Sequence, residues 1–206
     1  MLFDQVKQNT ITMYKHIITA TALFVTLAGT SAYSQTFKAN ASKSTILWVG
    51  KKVTGQHDGA VKLTSGTITL ADDKVKAGTF EVDMNSITCK DLTGEYNDKL
   101  IGHLKSEDFF STAKFPKATL VIKEGAKDAN GSYQLKGDLT IKGTTKPISF
   151  PATLKKDGST LTGTATIVVD RTLYDIRYGS KSFFDNLGDK AIDNEFTLSI
   201  NIVAGK

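Results

Sequence analysis

The chain has 206 residues, a formal charge of +5, 40% hydrophobic side chains and one cysteine. That length suits a single domain with a sizeable core, with or without a removable leader, and leaves little room for two. A lone Cys89 excludes an internal disulfide. Apart from Arg171 and Arg177, the cations are lysines scattered among apolar residues, so the basic aromatic stripe of a nucleic-acid module is missing.

In chain order, Lys15 and His16 precede an apolar run over residues 17–29, and small residues follow at Thr30, Ser31, Ala32 and Ser34. This is the layout of a secretory signal peptide and is too short for a spanning helix. Residues 1–34 are therefore expected to be a leader, with Met13 as an alternative start, and residues 35–206 the mature domain. Cleavage after Ala32 is the close alternative. A buried helix or a retained anchor would be the competing reading. The absence of a cysteine after the run argues against lipid attachment. Removal of the leader lowers the formal charge only to +4, and the expected location is the periplasm.

From residue 44 onward apolar residues recur with period two, as in strands with one buried face. Ile46 and Trp48 begin the series; Ile68 and Leu70, then Phe80, Val82 and Met84, continue it. The cleanest sets are Ala118, Leu120 and Ile122; Tyr133, Leu135, Gly137, Leu139 and Ile141; and Ile148, Phe150, Ala152 and Leu154. Leu161 to Val169 and Phe196 to Ile202 repeat the rule. Asn130-Gly131, Lys142-Gly143 and Asp157-Gly158 stand between runs, where hairpin turns need positive φ. About eight strands follow, enough either to close into a barrel or to stack as two sheets. Alternation does not separate the two.

Two insertions break the pattern. Thr93 to Ser106 spaces Tyr96, Leu100, Ile101 and Leu104 as a short amphipathic helix. Tyr178 to Asp189 carries Phe183, Phe184 and Leu187, with Gly188 as a helix stop. Each insertion has a Phe-Phe pair beside it, Phe109-Phe110 and Phe183-Phe184, which either plugs a barrel end or frames a ligand mouth.

Catalytic and metal chemistry find little support. His57 and His103 have no partners at metal-ligand spacing. His57 reads as a turn or strand-end residue and Cys89 as a half-buried strand-end residue. His103 reads as satisfying a hydrogen bond where the helix meets its loop. His103, Ser106 and Asp108 are too crowded in sequence for a nucleophilic triad, and Asp185, Asp189 and Asp193 lack calcium-loop spacing. No catalytic residue, metal ligand or cofactor is assigned. Arg171, within Asp170-Arg171-Thr172, reads either as a structural ion pair with a nearby acid or as a reader of an anionic head group.

Four ordered stretches resemble the YceI-like, or polyisoprenoid-binding, family. They are Val82-Asp83-Met84-Asn85-Ser86-Ile87, His103 to Phe110 with Phe115-Pro116, Gly137 to Ile148, and Asp170-Arg171-Thr172 followed by Tyr178-Gly179-Ser180 and Phe183-Phe184. The resemblance spans about Ser42 to Val203. It departs at Lys43, where many members carry His, and at Asp175, where Gly is frequent. It implies an all-β, eight-stranded antiparallel lipocalin-like barrel with one or two short helices, usually exported, around an elongated apolar cavity. A polyisoprenoid or other long apolar ligand is then expected against Trp48, Phe80, Phe109, Phe110, Leu135, Leu139, Phe150, Phe183, Phe196 and Leu198. His103, Arg171 and Tyr174 are the head-group candidates. Weak contact with an anionic membrane surface and oligomer formation stay open. The rival readings are an acid/base enzyme built on His103 and a ligand-free all-β stress-response or adhesion module.

Overall fold

The computed structural model describes residues 33–206, so the expected leader lies outside the described residues except for Tyr33 and Ser34. Nine strands follow: β1 (Ser34–Ala39), β2 (Thr45–Lys52), β3 (Gly55–Ala71), β4 (Lys74–Cys89), β5 (Lys117–Lys127), β6 (Tyr133–Ile141), β7 (Thr144–Asp157), β8 (Thr160–Asp170) and β9 (Ile192–Gly205). One helix, α1 (Gly94–Lys105), joins β4 to β5, and 3-10 turns at Arg171–Tyr174 and Gly188–Lys190 lie between β8 and β9.

Every neighbouring pair is antiparallel, and the order β3-β2-β9-β8-β7-β6-β5-β4 closes on itself through β3 and β4. Closure removes the free edges that an open sheet of this size would expose. β1 and β2 share one position in this ring. β1 pairs Phe37 with Ile68 of β3 and Ala39 with Ala204 of β9, while β2 pairs Ile46 with Val61 and Ile200 of the same two strands. They form a single stave interrupted at residues 40–44, where the Asn40 carboxamide accepts the amide protons of Ser42 and Lys43. Nine strands thus build an eight-stave barrel, as expected, but the first half-stave was not anticipated. Its Phe37, 0% exposed, is among the most deeply buried residues.

Alternation maps directly onto the pleat. In β6, Tyr133, Leu135, Gly137, Leu139 and Ile141 are buried while Gln134 and Lys136 face out. The β6–β7 connection is a two-residue turn with Lys142 at φ 49° and Gly143 at φ 74°, the paired positive values whose twist suits a hairpin. Helix α1 forms where the pattern shifts to helical spacing. Leu104 is buried and Leu100 and Ile101 are half-buried against the barrel, whereas Tyr96, 75% exposed, stands off the packed face.

The second expected helix is absent. Residues 178–187 run through turns, Phe183 and Phe184 are 44% and 50% exposed, and Gly188 opens a 3-10 turn instead of stopping a helix. The reason is local. Gly179 and Asn186 have positive φ, and the few apolar residues between them find no surface on which to bury a helical face.

Gly59 marks the tightest approach in the wall. A Cβ there would meet the Thr88 carbonyl oxygen and the Trp48 indole at once. The Gly59→Ala variant should therefore lose about 1–3 kcal/mol in a denaturant melt, the usual cost of overpacking. By contrast, Gly102 in α1 has open space around it, and Gly102→Ala should gain roughly 0.5–1 kcal/mol in the same melt.

Candidate functional site: the barrel interior

Inward side chains from opposite walls stop short of one another and leave a cavity of about 160 Å³. Trp48, Phe80, Leu139, Phe196 and Leu198 line it, together with Met84, Leu120 and Ile167. A second lobe of about 80 Å³ lies against Leu135, Phe150, Leu63 and Ile122. The lobes share Ile46, Phe80, Leu120 and Ile200, so these side chains form the waist between them.

The walls are held by specific contacts. Trp48 Nε1 donates to the Thr88 carbonyl at 3.1 Å, which fixes the indole across β3 and β4. Phe109 and Phe110 pack edge to face with centroids 5.1 Å apart, and Phe110 meets Phe196 of β9 at 6.3 Å. Their position follows from the end of α1. Phe110 N donates to the Leu104 carbonyl and Phe109 N to the Ser106 carbonyl, turning the chain inward so that both rings close one end of the barrel.

Arg171 is the one buried cation beside this cavity, 2% exposed. Its guanidinium donates from Nη1 to Ile176 O at 2.7 Å, from Nε to Asp193 O at 2.9 Å and from Nη2 to Ile192 O at 3.1 Å. It also lies over the Phe109 ring at 5.5 Å. Burial pushes its pKa down, and the charges of Asp170 and Asp193 push back. An ion pair with a nearby acid is not what forms. The Asp170 carboxylate instead accepts from the Thr172 amide at 2.9 Å and its hydroxyl at 2.6 Å, capping the 3-10 turn.

Residues 37–204 match the YceI-like domain. The chain belongs to the YceI-like family. Among curated relatives it is 39% identical over 87 residues to a UPF0312 protein of Shewanella denitrificans, covering 42% of this chain and 44% of that one. It is 36% identical over 100 residues to Protein YceI of Escherichia coli O157:H7, covering 48% and 50%. The chain thus matches about half the length of these relatives. Two solved structures share the fold. One is BcnA of Burkholderia cenocepacia, with a TM-score of 0.66 and 21% identity over 80% of this chain and 98% of that one. The other is a polyisoprenoid binding domain from Saccharophagus degradans, with a TM-score of 0.60 and 11% identity over 82% and 97%.

Within this YceI-like barrel the expected contact residues divide. Trp48, Phe80, Phe109, Phe110, Leu139, Phe196 and Leu198 line the larger lobe, and Leu135 and Phe150 the smaller. Phe183 lies outside both, on the surface beneath the Arg177 guanidinium at 4.9 Å. Tyr174 is buried beside the barrel and touches neither lobe. Burial raises its phenol pKa, and the Asp170 charge adds to that. His103 is also outside, its ring edge-on to Tyr178 at 4.4 Å and to Phe109 at 5.7 Å. At the helix-loop junction its backbone carbonyl accepts from the Ser106 amide at 3.1 Å and hydroxyl at 2.8 Å, while its ring Nε2 is buried with no partner. Among the described residues no carboxylate pairs with it, so the acid/base arrangement is not assembled.

His57 belongs to a separate cluster at the strand ends. Its Nδ1 lies 2.7 Å from Asp91, which also accepts from the Asp58 amide at 3.0 Å and the Cys89 thiol at 3.1 Å. Burial opposes ionisation of Asp91, but these hydrogen bonds outweigh it and hold the carboxyl well below the usual range. Burial pushes the Cys89 thiol up, with the Asp91 hydrogen bond adding to it.

Two predictions follow from these contacts. Arg171→Met strands three carbonyls, and at about 1–3 kcal/mol for an unsatisfied buried group it should lower unfolding free energy by at least about 2 kcal/mol. Because the folded carboxyl of Asp91 titrates below its unfolded value, its contribution is whole above about pH 4 and is lost as pH falls from there toward the folded value. Asp91→Asn should therefore show a shallower loss of thermal midpoint than the parent between about pH 4 and pH 2.

Proposed function

We propose that the barrel is an exported carrier or store for a long apolar ligand, a polyisoprenoid or similar lipid tail held along its axis in the periplasm. The observation that carries this reading is an unfilled interior with a predominantly apolar lining, its charged residues gathered at one rim. A protein that only needed a stable barrel would fill that space, since voids cost stability. The fold shared with a polyisoprenoid binding domain lends support.

Each buried methylene contributes roughly 0.8 kcal/mol, so even one five-carbon unit gains about 4 kcal/mol before ordering costs. Ligand pockets commonly occupy about 300–1,000 Å³. The two lobes are smaller, and a tail longer than a few carbons has to move the waist. Phe80 and Leu120 are the side chains that would rotate, joining the lobes into one channel. A ligand-free module is the opposite reading, and it expects the waist to stay shut.

Export is part of the proposal. β1 begins at Ser34, paired with Ala71, so processing after Ala32 would leave the first stave whole. The mature N-terminus should therefore read Tyr33-Ser34-Gln35, checked by terminal sequencing of protein taken from the periplasm. Lipid extracted from that protein and analysed by mass spectrometry should contain a prenyl or other long-chain species. In titrations with an environment-sensitive apolar dye, Leu198→Trp and Leu120→Trp should weaken binding at least tenfold while retaining the β-sheet circular dichroism. A wild-type protein that takes up neither dye nor lipid supports the filled-barrel alternative.

A further inference from the structure

At one place in the wall the cavity lining includes exposed charged residues, Lys51 of β2 and Asp193 and Glu195 of β9. β2 and β9 pair Trp48 with Leu198 and Gly50 with Phe196, but the next pair is Lys52 with Ile192. Lys51 alone therefore faces three residues, Asp193, Asn194 and Glu195, and the ladder is interrupted. Bulges of this kind recur at barrel rims and beside ligand sites.

The bulge is anchored from elsewhere. The Ile192 and Asp193 carbonyls are taken by Arg171. The Asn194 side chain accepts from the Ser180 hydroxyl at 2.6 Å and donates to the Ser182 hydroxyl at 2.8 Å. A buried guanidinium and two serines thus hold Asp193 and Asn194 out of the ladder with β2. Opposite them stands Gly50, at the inward position that continues Ile46 and Trp48. Glycine weakens a strand interior and often marks a close approach by a ligand. A Cβ on Gly50 would meet nothing within 4 Å, so the missing side chain leaves a gap into the cavity. Meanwhile both ends of the barrel are covered, one by Leu104, Phe109 and Phe110, the other by Phe37, which lies beneath Lys206.

We propose that this gap is a lateral portal through which an apolar tail threads into the barrel, leaving its polar head between Lys51 and the carboxylates of Asp193 and Glu195. This rests on the apolar-ligand reading above. The head group it fits is neutral and hydrogen-bonding, such as a hydroxyl, phenol or amide. Lys51 can donate to it and the carboxylates can accept from it, whereas an anionic head would meet two negative charges for one ammonium. Counting the buried Arg171 does not reverse this, because the Asp170 carboxylate acts on its charge as well as that of Asp193.

Stopped-flow uptake of an apolar dye tests the route. Gly50→Leu should slow both uptake and release at least tenfold, and Gly50→Ala, the gentler variant if Leu perturbs folding, two- to threefold. Tyr178→Ala, which thins the axial cover outside the cavity, should change neither rate. Faster uptake in Tyr178→Ala with unchanged rates in both Gly50 variants would overturn the portal while leaving the apolar reading intact. No uptake by wild type removes the reading itself and the portal with it. For the head group, dodecanol should displace the dye at least tenfold better than dodecyl phosphate, and Lys51→Ala with Glu195→Gln should erase that preference. Equal displacement by the two competitors in the wild type would refute the head-group assignment.

Discussion

A buried guanidinium with no carboxylate hydrogen-bond partner organises one end of the barrel wall. Arg171 gives up hydration and in return binds carbonyls on two segments, Ile192 and Asp193 where the β9 ladder is interrupted and Ile176 in the preceding loop. A planar group with fixed donors can reach all three at once, which a lysine ammonium on its flexible stem cannot reproduce. The loop between β8 and β9, the irregular start of β9 and the Phe109 ring all meet at this one side chain. Removing water from the cation makes those bonds costly to break and so keeps the irregular backbone in one arrangement.

The barrel itself was legible because its residues obey a strict two-residue period. β6 and β8 bury the side chains that alternation selects, and the Lys142-Gly143 hairpin turns where its sequence indicates. Period alone could not choose barrel over sandwich, since that depends on β2 meeting β9, a pairing no local pattern encodes. The first half-stave escaped notice because Phe37 is the only bulky apolar residue between Gln35 and Ala39, too few for a pattern. The helix expected over 178–189 failed for the opposite reason. It had apolar residues but nothing to bury them against.

Most of the residues expected to face a ligand line the interior, whereas the residues at its rim carry no periodic signal. Large residues on alternating positions point inward whatever their neighbours, so Trp48, Phe80 and Leu198 were accessible from sequence. Gly50, Lys51, Asp193 and Glu195 were not, because they depend on a register shift between strands about 140 residues apart in sequence. The family's motifs also acquire physical content. Asp170 caps the turn that presents Arg171, and Asp175 adopts φ 59°, the left-handed conformation that explains why glycine suits that position. Lys43 falls in the break between β1 and β2, not within a strand.

That break carries a consequence for how the molecule is made. The stave formed by β1 and β2 is sealed on one side by β9, the last of the described strands, so the ring has no complete circumference until those residues have paired. Local hairpins from β3 to β8 can assemble early, but the closing seam joins the two extremes of the domain and must wait, as high contact order requires. The barrel therefore gains its complete circumference only when β9 pairs with both halves of the first stave.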